Sequence, residues 1–137
     1  MLETTLKKVM VFGTFDKFHP GHINFLKQAE QYGDYLIVVV ARDITVKKLK
    51  GKAPKFSEKE RQKEIIKSAL ADEVVLGKFK NKYKLIKYFR PDVICLGYDQ
   101  KYLVDGLSGQ LKKFGIKNVK IIRLKAYYPE KYKSSLI

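Results

Sequence analysis

Short apolar runs alternate with longer stretches of helical periodicity along this chain. Val9–Phe12 is a brief β-type run ended by Gly13. From His19 to Tyr32, Ile23, Phe25, Leu26 and Ala29 form one apolar stripe, which predicts a helix stopped by Gly33. Tyr35–Ala41 is continuous and rich in β-branched residues, as in a strand covered on both faces. Ser57-x-x-Glu60 is a capping box that opens a helix running to about Leu70, with Ile65, Ile66 and Ala69 expected inward. Val74–Leu76 predicts a third strand. Asn81–Phe89 predicts a short helix halted by Arg90-Pro91. Val93–Leu96 predicts a fourth strand, Leu103–Phe114 a helix and Val119–Leu124 a fifth strand. No structure is assigned to Lys125–Ile137.

Strands and helices in strict alternation imply a parallel sheet covered by helices on both faces, with right-handed crossovers. No linker, internal repeat or low-complexity segment interrupts the pattern, so one domain over 1–137 is expected. In such a sheet, ligands bind beyond the carboxyl ends of the strands. After the first strand come Thr14, Phe15 and Asp16, then His19-Pro20-Gly21-His22. Arg42 and a lysine-rich stretch follow the second strand. Gly97-Tyr98-Asp99-Gln100 follows the fourth, and Tyr127, Tyr128, Ser134 and Ser135 follow the fifth. The chemically distinctive residues therefore converge on one rim.

Charge sharpens this picture. Lysine and arginine number 29 against 14 acidic residues, a formal net charge of +15. Arg42–Lys55 is the densest stretch, with Arg42, Lys47, Lys48, Lys50, Lys52 and Lys55 against the single Asp43. It reads as a mobile loop that closes on phosphates. The other counts mainly exclude. The one cysteine, Cys95, rules out an internal disulfide and a cysteine-cluster zinc site, and its place in a strand suggests a core thiol. No apolar run approaches the roughly 20 residues that span a bilayer, and no secretory signal is read at the start. A soluble cytoplasmic protein is expected. A dinucleotide-binding Gly-x-Gly-x-x-Gly and a P-loop are both missing.

His19 and His22 are the two histidines of the chain, three residues apart at the mouth of the first predicted helix. At that spacing the imidazoles share a face, and Pro20 suits the first helical position. A helix N-terminus attracts anions, and two imidazoles there can donate to phosphate oxygens. Gly21 would admit a ligand close to the backbone. Metal ligation is the competing chemistry, with Asp16 as the nearest third ligand. A purely structural histidine pair is the other alternative.

Gly13-Thr14-Phe15-Asp16-x-x-His19-Pro20-Gly21-His22 resembles the signature of the HxGH nucleotidyltransferases, the cytidylyltransferase-like superfamily. Ala41-Arg42-Asp43-x-Thr45-Val46, Lys50-Gly51, Arg61, Pro91-Asp92-Val93-Ile94-x-Leu96 and Gly97-Tyr98-Asp99-Gln100 resemble the archaeal FAD synthase branch. Glycerol-3-phosphate cytidylyltransferases are close relatives. The resemblance implies a Rossmann-like (HUP-type) three-layer α/β sandwich with a five-stranded parallel sheet. It also implies transfer of AMP from ATP to FMN, giving FAD and pyrophosphate, with a divalent cation, magnesium by expectation, accompanying ATP.

Carried onto this sequence, the family pattern makes His19, His22 and Lys50 catalytic, with Lys47 and Lys48 as alternatives to Lys50. Thr14, Phe15, His19, Pro20, Gly21, His22, Asp99, Tyr127, Ser134 and Ser135 would bind nucleotide, and Arg61 would help steady phosphates. No resident metal ligand is implied. A homodimer is expected, without nucleic-acid or membrane partners. Phe15, Tyr98, Tyr102, Tyr127 and Tyr128 would offer flat faces to an isoalloxazine ring. The rival functions are cytidylyl transfer to glycerol-3-phosphate, adenylyl transfer to a sugar phosphate, and non-catalytic nucleic-acid binding.

Overall fold

Val9 and Val11 pack into one apolar layer and Met10 and Phe12 into another, so β1 (Lys8–Gly13) is apolar at every interior position. The same alternation runs through β2 (Tyr35–Val40): Leu36, Val38 and Val40 face one way, Ile37 and Val39 the other. A side-chain period of two with helices on both faces explains why these strands read as unbroken hydrophobic runs. The structure, a computed structural model, describes residues 6–78, 81, 83–98, 100 and 106–126.

β3 (Glu73–Leu76), β4 (Val93–Leu96) and β5 (Lys120–Arg123) complete a five-stranded sheet of order β3-β2-β1-β4-β5, every pair parallel. On one face lie α1 (Pro20–Glu30), contributing Leu26 and Ala29, and α3 (Glu58–Ser68), contributing Ile65. On the other lie α4 (Lys84–Phe89), with Ile86, and α5 (Leu107–Lys113), with Leu107 and Leu111. The expected three-layer Rossmann-like sandwich is the observed fold. After β1 the chain crosses to β2 on one side, and the later strands β4 and β5 lie on the other. The crevice for a ligand therefore opens at the carboxyl ends of β1 and β4.

The opposite edge is held by aspartates. Asp34, Asp72 and Asp92 each immediately precede a strand and accept a backbone N–H from its neighbour: Lys7 at 3.0 Å, Leu36 at 2.7 Å and Lys8 at 2.8 Å. A one-residue slip would break these bonds and exchange the side chains between the two differently packed apolar layers.

Two expectations need correction, and a third reaches beyond the described residues. The lysine-rich stretch after β2 is not a loop throughout: Asp43–Lys50 folds as α2, ended by Gly51 in the left-handed conformation at φ 80°. An acidic first turn, a basic last turn and a glycine stop are all favourable to a helix. Ile66 and Ala69 are not inward: Ile66 is 57% exposed, and Ala69 is the exposed left-handed cap beyond the last residue of α3, because Arg61 and Ile65, four residues apart, occupy the buried stripe. The helix sought over Leu103–Phe114 is described only from Leu107, and 103–105 lie outside the described residues.

Candidate functional site

His19 is the N-cap of α1, with extended backbone at φ −138° and ψ 173°. Its Nδ1 accepts the Gly21 N–H at 3.0 Å, and the Nδ1 of His22 accepts the His19 N–H at 3.3 Å. This is a reciprocal capping box built from His-x-x-His instead of the usual hydroxyl and carboxamide or carboxylate partners. The Gly21 N–H is engaged by the cap, those of His22 and Ile23 by the His19 carbonyl, and Pro20 has none. The backbone donors of this turn are thus already bonded, which corrects the expectation of a bare helix-terminus anion site at Gly21. The donors this turn can offer to an anion are therefore on the imidazoles.

Because both Nδ1 atoms are acceptors, each neutral ring carries its proton on Nε2. The rings stack with centroids 3.8 Å apart. Burial first, and the neighbouring His19 second, push the His22 pKa down to about 3. Burial also lowers that of His19. Near neutral pH the pair is uncharged, and each ring is an N–H donor. His22 further stacks on Phe18, at 5.7 Å between centroids, and meets the edge of Phe15 at 5.4 Å.

Phe15 does not line an open pocket. It is 4% exposed, packs against Phe25 and covers Gly13, where an added Cβ would lie 2.6 Å from Cε2 of the ring. Its backbone is left-handed at φ 54°. Such a conformation costs about 1–3 kcal/mol in a non-glycine residue. Burying the ring returns about 1.5–3 kcal/mol, so the turn stands only while the ring stays packed. Phe15 is therefore a wall behind His22, and the expectation of a stacking face at this position is withdrawn.

Asp16 also has a different occupation from metal ligation. Its carboxylate accepts the N–H groups of Lys55 (2.7 Å) and Phe56 (3.0 Å), drawing the α2–α3 connection to the β1–α1 loop. Among the described residues no group of three His, Cys, Asp or Glu side chains is placed to hold a metal. Lys17 sits beside Lys55, and its ammonium lowers the Lys55 pKa. Lys50, in the last turn of α2, is close enough for its charge to disfavour protonation of His22. Lys47, Lys48 and Lys50 are all exposed.

Arg61 is the one buried polar or charged residue among those described, at 1% exposure. Nε donates to the Phe56 carbonyl (2.9 Å), Nη1 to the Thr14 carbonyl (2.8 Å) and Nη2 to Asp43 Oδ1 (2.7 Å). Three of its donors are thus directed at protein groups, and it is not a surface charge. Nearby, Glu58 accepts the Asp43 N–H and pairs with Arg42 at 2.8 Å; these contacts, in that order, hold its pKa low. Arg42 also donates to the Gly77 carbonyl.

At the other side of the crevice, Gln100 accepts the Gly97 N–H (3.0 Å) and donates to the Phe12 carbonyl (2.9 Å), tying the ends of β4 and β1 together. Arg123 donates to the Gly97 and Gln100 carbonyls. Gln28 grips Lys125 through both its N–H and its carbonyl, drawing the chain beyond β5 towards α1. The roles of Arg123, Gln28 and Glu58 escape a motif search, since each joins segments distant in sequence, and for Gln100 the motif does not foretell the bond to Phe12. Thr14, His19, Pro20, Gly21, His22 and Lys50 share the rim. Asp99, Tyr102, Tyr127, Tyr128, Ser134 and Ser135 lie outside the described residues. Tyr98 is 39% exposed. Cys95 is wholly buried and its thiol pKa is pushed up to about 11 by burial, as suits a core residue.

A cytidylyltransferase-like family model matches residues 10–137. An FAD synthase of Aciduliprofundum boonei is 46% identical over 120 residues, covering 88% of this chain and 79% of that protein. Other archaeal proteins of the same name match at 42–46% identity. Among solved structures, a Thermoplasma volcanium protein described as a lipopolysaccharide core biosynthesis protein superposes with a TM-score of 0.83 at 41% identity, covering 90% of this chain and 99% of that one. The pantoate-beta-alanine ligase of Francisella tularensis shares the fold at a TM-score of 0.64 and 20% identity, covering 90% of this chain and 60% of that one.

Proposed function

The chain belongs to the cytidylyltransferase-like family, and from that premise we propose that it is an FAD synthase, transferring AMP from ATP to FMN with release of pyrophosphate. A nucleotidyltransferase is what the archaeal relatives indicate, and their shared name supplies the acceptor. The observation that carries the chemistry is the histidine capping box, which turns both imidazoles into neutral Nε2–H donors on one face.

In the proposed reaction a phosphate oxygen of FMN attacks the α-phosphorus of ATP. The new P–O bond forms in line with the breaking bond to the β-phosphate bridging oxygen, and pyrophosphate departs. No covalent enzyme intermediate is required. Charge accumulates on the α-phosphate oxygens, where His19 and His22 donate, while Lys50 offsets charge on the triphosphate. Thr14, Pro20 and Gly21 form the adjacent wall, and Asp99, Tyr127, Ser134 and Ser135 are proposed nucleotide contacts by resemblance. A divalent cation enters as part of the nucleotide substrate, held by triphosphate oxygens. Asp16 is committed to Lys55 and Phe56, and no described ligand set is offered in its place, so no step is assigned to a resident metal.

The proposal includes a cytoplasmic homodimer acting without nucleic acid. Among the described residues no helix is long and apolar enough to cross a membrane. Phe25 and Phe89 are half-buried and packed against the core, unlike the exposed base-stacking aromatics of single-strand binders. Pyrophosphate release, scored for each nucleoside triphosphate against FMN, glycerol-3-phosphate and sugar phosphates, tests the assignment. The sugar phosphates belong in the panel because of the name given to the Thermoplasma volcanium structure. Highest turnover with ATP and FMN is expected.

A further inference from the structure

We propose that Arg61 is a positioning residue for the transfer reaction, holding the Thr14–Phe15 peptide and the first turn of α2 in fixed relation without touching substrate. The inference rests on the nucleotidyl-transfer reading above. Its observations are the near-complete burial of a guanidinium and the three segments it joins. Thr14 belongs to the loop that leads into the histidine box. Asp43 begins the helix that carries Lys50. Phe56 belongs to the connection that Asp16 also grips.

The direction of the effect follows from peptide geometry. The described chain has no cis peptide, so the Thr14–Phe15 unit is trans and planar. Fixing its carbonyl on Arg61 Nη1 fixes the Phe15 N–H on the opposite side. That peptide is also the entry to the left-handed Phe15, whose ring backs His22. Arg61 thus acts on His22 through Phe15 and on Lys50 through Asp43. Its ionic partner Asp43 is 41% exposed at the side chain, so the ion pair alone does not account for burying the guanidinium, and the geometry it specifies across three segments does. A lysine cannot reproduce the planar fork with three acceptors at separate angles.

The test compares the full chain with Arg61→Lys and Asp43→Asn. Protein labelled with ¹⁵N-phenylalanine reports the Phe15 amide without any ligand, and steady-state kinetics with ATP and FMN report the consequence. The expected result for Arg61→Lys is a shifted Phe15 amide resonance. With it, kcat falls about tenfold or more while the KM for ATP stays within about threefold. Asp43→Asn, which leaves the Thr14 and Phe56 bonds in place, should show the same signs to a smaller extent. It carries the test if Arg61→Lys does not fold. An unmoved Phe15 amide in a folded variant overturns the proposal. So does a raised ATP KM with unchanged kcat, which would mark Arg61 as a direct phosphate contact. Absence of FAD formation by the unsubstituted protein would instead overturn the FAD synthase reading, and the amide measurement would still decide whether Arg61 positions the loop.

Discussion

His22 accepts the backbone N–H of His19 through Nδ1 at 3.3 Å while the two rings stack with centroids 3.8 Å apart. One side of each ring therefore builds the helix end, and the other is left to carry the proton. The same two residues cap α1 and set the protonation state at the rim, so cap and chemistry can be separated by substitution.

His22→Asn places an acceptor near the position of Nδ1 but nothing at Nε2. The expected outcome is a folded protein with kcat down by about 10²-fold, the scale of losing one oxyanion-type donor. His22→Gln, whose amide reaches the Nε2 position, should recover part of that loss. Steady-state kinetics beside thermal melts check both, and equal kcat in the three proteins would remove the donor role.

Acid should act on stability before it acts on the His22 donor. His22 takes a proton near 6.5 when unfolded but only near 3 when folded. Between those values the unfolded chain binds more protons, so this contribution to stability is present above pH 6.5 and is lost as pH falls towards 3. Melting temperatures recorded across that window should fall, and less steeply in His22→Gln. The rate should show no titration of His22 near 6.5.

Lys50→Ala should raise the KM for ATP several-fold, an effect that fades as salt is added, because an exposed ammonium is screened. Its kcat should change less than in His22→Asn. Unchanged ATP kinetics at low salt would reduce the basic face of α2 to solvated charge.

Gln100→Leu should destabilise the protein by about 1–3 kcal/mol, since the Phe12 carbonyl and the Gly97 N–H both lose a partner. A melting temperature lower by several degrees is the check.

The parallel sheet was legible because strands covered on both sides are apolar throughout, and glycines mark strand ends: Gly13 closes β1, and Gly77 and Gly97 follow β3 and β4. α2 was obscured by its lysines, which count as polar in an apolar pattern yet favour a basic C-terminal turn. The role of Arg61 was harder still. A charged residue is expected outside, and only its spacing of four from Ile65 hinted that it shares the buried stripe. The histidine motif pointed to the rim from sequence alone. Its double use as a capping box did not, because cap rules look for serine, threonine, aspartate or asparagine. Phe15 illustrates the reverse error: an aromatic next to the motif invited a stacking role, while its left-handed backbone turns the ring into the core.

The central claim, adenylyl transfer to FMN, is tested most directly by following radiolabel from α-phosphate-labelled ATP in the presence of FMN and magnesium, with manganese and cobalt in parallel. The label is predicted to appear in chromatographically resolved FAD, with pyrophosphate in equal amount, and little product should form when CTP replaces ATP. Ready formation of CDP-glycerol from CTP and glycerol-3-phosphate, with no labelled FAD under any of the three metals, would contradict it.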